Sequence, residues 1–139
     1  MKNISHLYNL PKHKPNNEHP QLLRVITSEK HTRIDFGYQC DSYYVRGGWV
    51  TIAPKTFICV KGSDNKLFLI KAENIPYAPE KYHFKSTVDN LLFSLYFPTL
   101  PAGINSFDII EKENPKPTDF NYYDIQLNPT SAIPLLISE

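Results

Sequence analysis

In the two most regular stretches of this chain the apolar side chains recur at every second position. Ile34, Phe36, Tyr38 and Cys40 alternate with Arg33, Asp35, Gly37 and Gln39, and Leu91, Phe93, Leu95 and Phe97 alternate with Leu92, Ser94 and Tyr96. Successive side chains of an extended strand point to opposite faces, so a period of two marks a strand with one face in a core. No segment of useful length carries the spacing of an amphipathic helix. The 12 prolines tighten the constraint. Each lacks a backbone donor and biases the residue before it towards an extended form, which stops helices and keeps strands short.

The best-defined local unit is a hairpin. Thr56-Phe57-Ile58-Cys59-Val60 and Leu67-Phe68-Leu69-Ile70 flank Gly62-Ser63-Asp64-Asn65, two β-rich runs around a turn cluster. Leu22 to Ile26 reads as a first strand or a short edge strand. Trp49 to Ile52 reads as a further strand, with Pro54 after it suited to an edge or a bulge. Ile75-Pro76-Tyr77-Ala78-Pro79 reads as an extended crossing loop. Tyr82 to Ser86, Ser106 to Ile110 and Phe120 to Leu127 complete the set. About seven to nine short antiparallel strands at regular spacing predict an all-β, immunoglobulin-like sandwich. The predicted domain spans 22–128. An irregular Pro-rich arm is expected over 1–21 and a short peripheral tail over 129–139, although Ile133, Leu135, Leu136 and Ile137 are apolar enough to pack.

A chain of 139 residues is long enough to bury its own core without a metal or disulfide staple. Its net charge of +1 argues against a nucleic-acid partner. No run approaches the roughly 20 apolar residues of a membrane helix. Met1 to Pro20 is polar and lacks a signal-peptide run, so the chain is expected to be cytosolic or the mature part of an exported protein. Cys40 and Cys59 read as free thiols in apolar surroundings, with a disulfide as the sharper alternative. The order Cys40, Trp49, Cys59 does not fit an antibody-type bridge, because the two cysteines lie too close in sequence.

Several segments, in order, carry a family resemblance: Thr32-Arg33-Ile34-Asp35-Phe36, Trp49 to Phe57, Leu67-Phe68-Leu69-Ile70, Ala72-Glu73-Asn74-Ile75-Pro76, Leu92 to Pro101, Phe107-Asp108-Ile109-Ile110-Glu111 and Tyr123-Asp124-Ile125-Gln126-Leu127. Together they resemble the immunoglobulin-like β-domain of exported Bacteroidetes proteins, which stands alone or precedes a thioredoxin-like domain. The resemblance implies export to the cell envelope. Its motifs are structural and transfer no functional residue. A thioredoxin-type activity does not carry over, since no Cys-x-x-Cys pair is present.

Trp49, Phe36, Phe93, Leu95 and Phe97 are the expected core, with a ligand platform as the alternative for Trp49. One carboxylate of the Phe107–Glu111 run, Asp108 or Glu111, caps backbone N–H groups or is simply solvated. The five histidines lack the tight spacing of zinc ligands, and no metal or cofactor is expected. There is no nucleophile elbow, no catalytic cysteine context and no Gly-rich phosphate loop, so no catalytic residue is assigned. Tyr43-Tyr44 and Tyr122-Tyr123 remain as a binding candidate. Neighbouring residues of a strand face opposite ways, so one of each pair should point outward. The sequence therefore predicts a non-catalytic accessory domain that contacts a protein partner, or a carbohydrate-binding module that uses surface aromatics.

Overall fold

A computed structural model of the chain describes residues 2–9, 20–39, 49–60, 63–83, 90–114, 120–128 and 132–138. The described residues form twelve strands and no helix. They are β1 (Lys2–Asn9), β2 (Gln21–Thr27), β3 (Thr32–Gln39), β4 (Trp49–Val50), β5 (Phe57–Cys59), β6 (Lys66–Phe68), β7 (Lys71–Glu73), β8 (Tyr82–His83), β9 (Asn90–Phe97), β10 (Ser106–Ile110), β11 (Tyr122–Gln126) and β12 (Ile133–Ser138). A six-stranded sheet has the order β12-β1-β2-β3-β9-β7, and a four-stranded sheet has the order β11-β10-β5-β6. The short β4–β8 pair stands apart from both. All strand pairs are antiparallel, and the two larger sheets share one core. The protein is thus an all-β sandwich. An immunoglobulin constant-type domain divides its strands ABED and CFG. Here the first three strands meander within one sheet, so this sandwich has its own order.

The alternation of β3 and β9 does what the sequence predicts. Ile34 and Phe36 pair with Leu95 and Phe93 in register, and all four are buried. Phe36 is the keystone between the layers. Its ring stacks on Phe93 at 5.1 Å, and Phe120 and Tyr122 of the second layer meet it at 5.0 and 5.4 Å. Aromatic pairs at these separations add to the area they bury. Ile58, Phe107, Ile109 and Ile125 supply the rest of the second layer's inner face. The predicted core residues Phe93, Leu95 and Phe97 hold their places. Trp49 sits in β4 opposite His83, and its side chain lies outside what the structure describes, as does Cys40. Cys59 is a free, half-buried thiol.

The predicted hairpin is β5–β6, with Phe57 opposite Phe68. The chain then changes layer. Leu69 N still donates to Thr56 O at 2.8 Å, while Ile70 N donates to Tyr96 O at 2.7 Å, which delivers β7 to the edge of the large sheet. At the end of β9, Pro101 opens a tight turn in which Ile104 N donates to Pro101 O. Gly103 takes φ 82 there, a conformation that favours glycine.

Two expectations are corrected. The strand count exceeds nine, and residues 1–21 are not an irregular arm throughout, because Lys2–Asn9 is a full strand between β2 and β12. The tail likewise contains β12, paired to β1 from Lys2↔Ser138 to Leu7↔Ile133. The prolines do not prevent either strand. Pro11 and Pro15 fall beyond β1, Pro20 precedes β2, and Pro134 lies on β12 at the sheet edge, where a missing donor is tolerated.

Candidate functional site

The side chains of the large sheet that point away from the core form two cross-strand rows. Register places Ile26, Arg33, Tyr96 and Lys71 side by side in one row and Arg24, Asp35, Ser94 and Glu73 in the next. A β-bulge assembles the second row. Leu22 pairs with Phe36 and Arg24 with Asp35, so Leu23 is the extra residue. Two residues then oppose one. Leu22 and Val25 both stay in the core, while Leu23 and Arg24 both face outward.

Asp35 is the centre of this face. Its side chain is only 7% exposed, against 47% for Arg24 and 38% for Arg33. Oδ2 accepts from Arg24 Nε at 2.5 Å, and Oδ1 accepts from Arg33 Nε at 2.8 Å and from Ser94 Oγ at 2.6 Å. Burial pushes the carboxyl's pKa up, but the bonds from Ser94, Arg24 and Arg33 outweigh it and hold the group below its ordinary value. Two guanidiniums on one carboxylate leave one positive charge in excess. The two rows are tied together at the β7 edge: Lys71 Nζ of the first row lies 3.3 Å from Glu73 of the second and 4.5 Å from the Tyr96 ring centroid, and Arg33 stands 5.8 Å from the same centroid. Burial and a hydrogen bond to Glu73 raise the Tyr96 hydroxyl's pKa. The ring of His31, a half-buried residue, meets Tyr96 edge-on at 5.1 Å.

Next along β3, Gly37 leaves the face bare of a side chain. A Cβ there would meet Leu92 Cδ2 at 3.3 Å and Leu23 Cδ1 at 3.4 Å, so both leucines lean over the glycine. Leu92 is 64% exposed. The result is an apolar ridge beside an ordered pair of arginines.

The tyrosine platform fares differently. Tyr43 and Tyr44 lie outside the described residues. Tyr122 is corrected to a core residue, 2% exposed, whose hydroxyl donates to Pro20 O at 2.6 Å. Tyr123 is 54% exposed, and its Oη accepts from Asn121 Nδ2 at 2.9 Å. A second bulge, between Phe107 and Ile109 of the partner strand, turns both Tyr123 and Asp124 outward. Asp108 supports it by accepting from Asp124 N at 2.7 Å. Glu111 also caps backbone: its oxygens accept from Ala53 N at 3.0 Å and Phe120 N at 2.9 Å. Both carboxylates of that strand run are therefore structural clips.

Among the described residues, no group of three or more His, Cys, Asp or Glu side chains could hold a metal ion, and no helix is long and apolar enough to cross a membrane. No family model matches the chain, and no curated protein or solved structure matches it.

Proposed function

We propose that this protein is a non-catalytic interaction domain that binds a protein partner through the outer face of its six-stranded sheet. The observation that carries the reading is Leu92, a large apolar side chain left 64% exposed in the cross-strand row next to that of the buried carboxylate that orders two arginines. Protein interfaces concentrate their energy in such mixtures, where apolar anchors and arginines surrounded by less critical contacts exclude water. Ordering the arginines within the fold lowers the entropy lost when a partner binds. The resemblance to exported immunoglobulin-like domains supports the non-catalytic character and a role in the cell envelope. A glycan-binding reading is weaker. Of its four tyrosines Tyr122 is buried, which leaves Tyr123 as the exposed one among the described residues.

Capture from an extract of the source cells tests the reading. The folded wild-type domain, its heat-unfolded form and a Leu92→Asp variant serve as baits. A protein retained by the wild type and lost from the other two supports the proposal. Equal retention by Leu92→Asp moves the binding surface elsewhere, and purified domain that turns over a substrate removes the non-catalytic reading.

A further inference from the structure

We infer that the partner presents an acidic side chain to Arg24 and Arg33, followed after one intervening residue by an apolar side chain that lies against Leu23 and Leu92. This rests on the outer-face reading above and names the chemistry that the face selects.

Charge comes first. Asp35 accepts from both guanidiniums through their Nε atoms and from Ser94 Oγ. The cluster of two arginines and one aspartate retains a single positive charge, and the arginine side chains are 47% and 38% exposed. One carboxylate neutralises that excess. A phosphate monoester carries about −1.5 to −2 and overshoots it. Guanidinium groups also match carboxylates in geometry, since their fixed fork of donors takes two oxygens in a plane.

Spacing comes second. Asp35 and Gly37 are successive outward positions of β3, roughly 7 Å apart along an extended strand. The arginines flank the first position, and the leucines lean over the second. An extended partner segment laid along β3 has the same repeat. Its acidic residue and its apolar residue must then be separated by one residue that points away. The bulge at Leu23 is what makes this possible, because it turns Leu23 and Arg24 to the same side of the sheet.

The test is selection of a random-peptide phage library on the folded protein, followed by fluorescence anisotropy of resynthesised peptides. The expected winners carry Asp or Glu with Leu, Ile, Val or Phe at the second position after it. Their affinity should fall at least about tenfold for Arg24→Gln or Arg33→Gln, each checked for folding by circular dichroism, and should weaken with added salt. Winners without an acidic residue, tighter binding when phosphoserine replaces the acid, or affinities indifferent to both arginine substitutions overturn the inference. Failure to select any peptide also overturns it. Peptides lost on Leu92→Asp yet indifferent to the arginines refute the acidic partner and leave the outer-face reading standing. Peptides that survive Leu92→Asp refute that reading itself.

Discussion

Replacing Asp35 by asparagine removes the carboxylate on which three side chains converge and leaves the side-chain volume nearly unchanged. The amide oxygen can still accept from Ser94 Oγ and Arg33 Nε, but the amide nitrogen then faces Arg24 Nε, donor against donor. A hydrogen bond to a charged group contributes about 1.5–3 kcal/mol, and a buried donor without a partner costs about 1–3 kcal/mol. Both figures must be reduced. Arg24 is 47% exposed and recovers water when it is released, and the neutral amide avoids the cost of burying a charge. The net expectation is a loss of about 1–2 kcal/mol at neutral pH, read as a lower urea midpoint with an unchanged slope. The pH dependence has a definite sign. The folded-state pKa of Asp35 is lowered, so its contribution is present above the unfolded-state value of about 3.9 and is lost as pH falls through the folded-state value. The gap between wild type and Asp35→Asn should therefore narrow below about pH 4. A neutral-pH loss under about 0.5 kcal/mol, or a gap that stays constant into acid, refutes the reasoning.

Three further outcomes follow from the same contacts. Phe36→Ala should cost about 3–5 kcal/mol in urea unfolding, because the ring is fully buried against Phe93, Phe120 and Tyr122. Glu111→Gln leaves one acceptor for two backbone donors, so a loss of about 1–3 kcal/mol and faster hydrogen exchange at the Ala53 or Phe120 amide are expected. Asp124 holds φ 56, so Asp124→Val should cost about 1–3 kcal/mol in thermal unfolding, whereas Asp124→Gly should stay close to wild type.

How far the fold was legible depended on whether period two ran unbroken. It does so in β3 and β9, and the core residues Phe36, Phe93, Leu95 and Phe97 followed directly. The β5–β6 hairpin was legible because its turn residues and its strands agree. β1 was not, because a proline-rich stretch follows it and its pairing partners, β2 and β12, are supplied by tertiary structure. The candidate site was hidden for a related reason. In Leu22-Leu23-Arg24-Val25 a bulge shifts the phase of the alternation, so simple period-two reading misplaces Arg24. Asp35 and Arg33 were visible on the polar side of β3, but Ser94 reaches Asp35 only through the β3–β9 pairing. Of the two tyrosine pairs expected to face opposite ways, Tyr122-Tyr123 is the one within the described residues and does so, and the hydroxyl's bond to Pro20 O shows how Tyr122 is accommodated as the inward one.

The most direct test of the outer-face account is site-specific photocrosslinking. Benzoylphenylalanine is placed at position 92, on the outer face of the large sheet, or at position 68, an exposed site on the four-stranded sheet. Each folded protein is irradiated in an extract of the source cells. The account predicts a discrete crosslinked protein from position 92 that is absent from position 68. A crosslink from position 68 alone, or none from position 92, contradicts it.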